Sequence, residues 1–134
     1  MADPNQNADC VRRFFDAGFN GGEINAADYV AHDYVDHSPI PAPAPGPAGF
    51  AMRMQGLRSA FVDTATFGEF VAQDDMVAFT WELNGVHRGP FAGVAPTGLT
   101  VTLAGINVER MENGFIVEHW SQFDLAGLVR QLTT

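Results

Sequence analysis

A chain of 134 residues that is 46% hydrophobic, with 11 Phe and 2 Trp, has the material for one buried core, too little length for a second, and too much apolar content for disorder. Its net charge of −9, with seven Arg and no Lys, argues against nucleic acid or an anionic membrane surface as a partner. Cys10 is alone, which excludes an intrachain disulfide and a Cys-based zinc site.

Residues 1–134 are therefore expected to form one domain held together by packing. The first seven residues have neither the basic start nor the apolar run of a secretory signal. No segment approaches the ~20 apolar residues that span a bilayer, so a soluble cytoplasmic protein is expected.

Asn7 or Asp9 is placed to cap a first helix, in which Val11, Phe14, Phe15 and Phe19 recur at helical spacing and which Gly21-Gly22 ends. Ile24, Ala27 and Tyr29 predict a short second helix over 23–30. Five prolines between Pro39 and Pro47 make that stretch a stiff extended loop. Phe50, Met54, Leu57 and Phe61 then share one side of a third helix. From Thr64 the apolar period changes to two, and strands are predicted over 66–73, 76–84, 100–111 and 115–123. Asp74-Asp75 and the Asn113-Gly114 pair mark the hairpin turns. A closing helix over 125–132 completes an α+β order of elements.

Along that order lie Val35-Asp36-His37-Ser38-Pro39, Ala60-Phe61-Val62-Asp63, Gly85-Val86-His87-Arg88-Gly89, Pro96-Thr97-Gly98, Arg110-Met111-Glu112-Asn113-Gly114, Glu118-His119-Trp120-Ser121-Gln122-Phe123-Asp124 and Gln131-Leu132. In these motifs, which span nearly the whole chain, the sequence resembles the SnoaL-like polyketide cyclases of the nuclear-transport-factor-2-like superfamily. The resemblance implies an α+β cone: a strongly curved antiparallel or mixed sheet wrapped around N-terminal helices, enclosing a central pocket. It implies an enzyme that needs no metal or organic cofactor and closes a ring of an aromatic polyketide ester by intramolecular aldol addition. One pocket carboxylate would serve as acid and base.

Asp124 is the position matched to that carboxylate. On a strand, Trp120, Gln122 and Asp124 share a face opposite Val117, His119 and Phe123, so the first three are expected to line the cavity. An Asp ahead of a final helix is equally an N-cap, and both readings stand at this point. His37 and His87 match family positions and are assigned to the catalytic group as polarisers of the substrate carbonyl, whereas His119 is assigned to the surface or an interface. Gln122, Trp120, Glu82, Thr80, Phe14, Phe50 and Met54 are assigned to substrate binding. A limonene-epoxide-hydrolase-like triad would fall on Gln122, Thr80 and Glu82, which retains one acid and no Arg, so that chemistry is not expected. His32, Asp33, Asp36 and His37 lack the geometry to converge on a metal, and none is expected. The substrate is expected to be hydrophobic and aromatic. Because Val77, Phe79, Trp81 and Leu83 form an apolar face left over from the helices, a homodimer or higher homo-oligomer is expected. The competing function is a non-catalytic ligand-binding or dimerisation domain, or a lyase or hydroxylase on the same fold.

Overall fold

The computed structural model describes residues 3–40 and 42–133; Met1, Ala2, Pro41 and Thr134, and with Pro41 one of the five loop prolines, lie outside them. The first helix, α1 (Pro4–Phe19), starts earlier than the Asn7 or Asp9 cap predicts. Asp3 is the cap: its Oδ1 accepts from the N–H groups of Asn5 at 3.0 Å and Gln6 at 3.3 Å, and Pro4 fills the first helical position, where no N–H is needed. Val11, Phe14, Phe15 and Phe19 are buried as the spacing requires.

The predicted second helix shrinks to a single 3-10 turn, Ala26–Asp28, capped by Asn25. In its place a strand follows, β1 (Val30–Asp36), which pairs in parallel with a later strand through Val30↔Ile116 and Asp36↔His119. β-branched Val30 and Val35 and the aromatic Tyr34 suit a pleated surface, so the chain passes from this turn into a strand that the apolar spacing did not predict. After the proline stretch comes α2 (Gly46–Ala60), which buries Phe50 and Met54.

The rest is a meander of β2 (Thr64–Gln73), β3 (Met76–Val86), β4 (Thr100–Glu112) and β5 (Phe115–Phe123), closed by α3 (Leu125–Thr133). The Asn113-Gly114 turn carries φ of 52° and 82°, the left-handed pair that a two-residue hairpin requires. The sheet runs β1-β5-β4-β3-β2, antiparallel except for β1 against β5. Irregularities between Phe67 and Phe70 and between Arg110 and Met111 help to curve it. The result is the expected α+β cone, with α1 and α2 against its concave face. Among the described residues, no helix is long and apolar enough to cross a membrane.

Cross-strand register decides which side chains share the concave face. One row joins Val77, Glu109 and His119, the next Phe79, Asn107 and Ser121, and a third Trp81, Gly105 and Phe123. Val77, Phe79 and Leu83 are buried there and Trp81 lines the interior. The face expected to be left over for a partner subunit is therefore the one the helices cover, and the reason given for a dimer falls with it.

Candidate active site

Between the concave face, α1, α2 and the proline stretch lies a largely apolar cavity of about 300 Å³. Phe15 and Phe19 from α1, Phe50, Met54 and Leu57 from α2, and Phe67, Phe79, Trp81, Leu83 and Leu103 from the sheet form its walls. Polar groups enter it at few points: Asn107, His119 and Ser121 from the sheet, Arg53 from α2, and Ser38. An apolar chamber with a few converging polar groups is the usual form of a small-molecule site.

Behind the cavity wall, Glu109 is completely buried and holds His119, whose Nδ1 lies 2.6 Å from Oε1 and 2.7 Å from Oε2. Asn107 braces the pair, with Nδ2 donating to Glu109 Oε1 at 3.3 Å while its Oδ1 accepts from Trp81 Nε1 at 2.8 Å. Burial pushes the Glu109 carboxyl above its ordinary pKa, against the opposing pull of His119, Asn107 and the Arg53 charge. With Nδ1 committed to the carboxylate, Nε2 is the ring nitrogen left for a substrate, and the tautomer follows from that hydrogen bond. Phe50 meets the imidazole edge to face at 4.9 Å and Phe15 stacks on it at 6.5 Å, fixing the ring in a dry setting. Such a pair can take a proton at Nε2 and return it, with the buried carboxylate balancing the imidazolium.

A second polar cluster meets the cavity through Arg53 and Ser38. Asp36 accepts from the Tyr34 hydroxyl at 3.3 Å, from Ser38 N–H at 2.9 Å and from Arg53 Nη1. Burial opposes its charge, yet the hydrogen bonds from Ser38 and Arg53 outweigh that and hold its pKa down to about 2. Burial and the Asp36 charge push Tyr34 up to about 12. The Arg53 guanidinium lies over the Phe50 ring at 4.9 Å.

Most of the expected site residues lie elsewhere. Asp124 accepts the Gly127 N–H at Oδ1, 2.9 Å away, and caps α3 outside the cavity. Thr80, Glu82 and Gln122 do come together with Asp124, but in an open groove on the convex face of the sheet. Trp120 is on that face too, stacked on His37 at 4.7 Å, and His37 Nε2 sits 2.8 Å from Glu118 Oε2. The parity of β5 forces this: with His119, Ser121 and Phe123 turned inward, Trp120 and Gln122 must point out. His87 is fully buried away from the cavity lining, its Nδ1 accepting the Thr97 N–H at 3.1 Å, so that it pins the following loop. Phe14 is core, packed edge to face against Phe15 and Phe50, whereas Phe50 and Met54 do line the cavity. His119, assigned above to the surface or an interface, is 3% exposed and lines the cavity. Glu109 and Asn107 went unnoticed, although both interrupt the apolar alternation of Val101, Leu103 and Met111. Among the described residues, no three His, Cys, Asp or Glu side chains converge as a metal site would need.

Residues 9–132 match the family model described as SnoaL-like polyketide cyclase. The chain belongs to this family. As a SnoaL-like polyketide cyclase it has curated relatives over most of its length. It is 29% identical over 131 residues to the aklanonic acid methyl ester cyclase DauD of Streptomyces sp. (strain C5), covering 92% of this chain and 80% of that one. It is also 29% identical over 125 residues to the aklanonic acid methyl ester cyclase AcmA of Streptomyces galilaeus, covering 91% and 87%. Wild-type IdmH from Streptomyces antibioticus superposes with a TM-score of 0.79 at 31% identity, over 96% of this chain and 99% of that chain. TsrD from Streptomyces laurentii shares the fold, with a TM-score of 0.85 at 24% identity over 99% and 98%. The family expected from the motifs is thus the family found, the reading as an enzyme of the cyclase type holds, and the non-catalytic alternative is not favoured.

Proposed function

We propose that this cyclase closes a ring of a hydrophobic, aromatic polyketide ester by intramolecular aldol addition, with His119 as the proton shuttle and Glu109 as its buried partner. The observation that carries the proposal is the bidentate Glu109–His119 pair at the wall of a dry aromatic cavity. His119 Nε2 removes a proton from the carbon beside a substrate carbonyl. The resulting enolate carbon bonds to a second carbonyl carbon, and the same Nε2 returns the proton to the oxygen that becomes the alcohol. Substrate and product are isomers, so no atom or electron is gained or lost. Aromatic walls favour a planar substrate and exclude the water that would protonate the enolate early.

Aklanonic acid methyl ester, which the curated relatives are named for, is the first substrate to try. Purified protein is expected to convert it to a ring-closed product of unchanged mass and altered retention and absorption spectrum. Wild-type protein that cyclises the ester, alongside His119→Asn that does so at the same rate, would remove His119 from the mechanism. A homodimer remains part of the proposed reading, now through the convex face, where Val71 is 64% and Ile106 54% exposed. Light scattering of wild-type protein and of Ile106→Lys tests it, a monomer in both cases counting against it.

A further inference from the structure

The proposed proton transfer uses neither Arg53 nor Ser38, yet both line the cavity, and Arg53 carries a buried Nη2 without a partner. The Arg53 side chain is only 16% exposed, as is that of Asp36. Its Nη1 is spent on Asp36 and on the Ile40 carbonyl oxygen at 3.5 Å. Asp36 already accepts from Tyr34, Ser38 N–H and Arg53 Nη1, and no hydrogen bond joins it to the other arm of the guanidinium. A buried N–H donor left without an acceptor carries its full desolvation penalty, and in a binding cavity the natural acceptor is the ligand.

We infer that Arg53 Nη2 is a subsite for a neutral carbonyl oxygen of the substrate, a conclusion that rests on the proposed reading of this cavity as the substrate site. The ion pair with Asp36 selects the ligand's charge. Arg53 is already matched one to one, so a carboxylate would bring an uncompensated negative charge into an apolar chamber with Glu109 behind its wall. A ketone or ester oxygen brings none. It gains strength as an acceptor only when the adjacent carbon loses its proton and charge moves onto the oxygen, which is when stabilisation is needed. The Arg53 charge is felt at Glu109, behind the His119 base, so subsite and base belong to one electrostatic neighbourhood. Arg53 thereby also joins the proline stretch, through Ile40, to the ligand it helps to hold.

The test is binding, which needs no turnover: tetralone and tetralin, two bicyclic probes that differ by one carbonyl oxygen, are titrated into the protein by ligand-observed NMR. Wild-type protein is expected to hold tetralone at least as tightly as tetralin, although the carbonyl must leave water. Arg53→Lys keeps a cation for Asp36 but has one nitrogen in place of the fork, and it should weaken tetralone about tenfold while leaving tetralin within about twofold. Arg53→Gln, which keeps a neutral donor, is the second variant should the first not fold by thermal melting. Preference of wild-type protein for tetralin by about tenfold, absence of tetralone binding, or equal weakening of both probes in the variant would each overturn the subsite. If the probes behave as expected while aklanonic acid methyl ester is not cyclised, the subsite stands and the proposed reaction fails.

Discussion

Glu109 grips His119 with both carboxylate oxygens, at 2.6 and 2.7 Å from Nδ1, and does so from a position with no solvent exposure. The two oxygens share the single Nδ1 proton, and because an ionised carboxylate only accepts, the contact fixes the tautomer as well as the ring. Glu109→Gln should therefore fold, since the amide can still accept from Nδ1, but lose the charge that stabilises the imidazolium. Turnover is expected to fall about 10²-fold or more, and His119→Asn by 10² to about 10⁴-fold. The ratio is read from kcat on the same substrate. Equal rates in wild type and Glu109→Gln would reduce Glu109 to a structural partner.

Gly105 marks where the sheet lets an indole lie flat. A Cβ at that position would stand 2.3 Å from Trp81 Cζ2 and 2.7 Å from the Gln122 carbonyl oxygen, and the second of these is backbone that cannot swing away. Gly105→Ala is expected to destabilise the protein by about 1–3 kcal/mol, as overpacking does. It should also break the Trp81 Nε1 to Asn107 bond that braces Glu109. Thermal melting reads the first effect and indole fluorescence the second.

The motifs of the chain carried its family and nearly all its elements, because helical and period-two apolar spacing are local properties. Two things were not local. β1 exists through its pairing with β5, 80 or more residues away, and its own pattern of burial does not alternate cleanly. The concave side was the second. Alternation correctly grouped Trp120, Gln122 and Asp124 against His119 and Phe123, and Val77, Phe79, Trp81 and Leu83 together, but it cannot say which group meets the helices. An apolar stripe looks the same whether it faces a cavity or a partner. The discriminating clue lay in β4, where Asn107 and Glu109 sit in register with Phe79 and Val77 among buried apolar neighbours. A charge on the apolar face of a central strand is costly unless it is paired, and that cost points to a site.

Asp36 should leave a mark on acid stability. Its pKa is lowered from the ordinary 3.8 to about 2, so the folded state binds its proton less readily than the unfolded state. Stability from this group is thus fully present above about pH 4 and is lost as pH falls through about 2. Asp36→Asn should be less stable than wild type at neutral pH and converge with it across that window, as denaturant melts at several pH values would show. The same variant frees Arg53 from its partner. Parallel curves for the two proteins down to pH 2 would mean that Arg53 and Ser38 contribute nothing net to the charged form.

Asp124 separates the motif-based expectation from the geometry. The expectation made it the acid and base of the reaction, whereas here its Oδ1 accepts the Gly127 N–H at 2.9 Å at the start of α3, on the far side of the sheet from the cavity. Asn and Asp are comparable caps, so Asp124→Asn should keep both stability and turnover. Asp124→Ala removes the acceptor and should cost about 1 kcal/mol of stability, with kcat unchanged at temperatures where the variant is folded. Measured beside His119→Asn on one substrate, the pair of Asp124 variants assigns the proton shuttle. A fall in kcat of about 10²-fold in Asp124→Asn, with melting temperature intact, would return the catalytic role to Asp124 and require the convex groove of Thr80, Glu82 and Gln122 to hold the substrate.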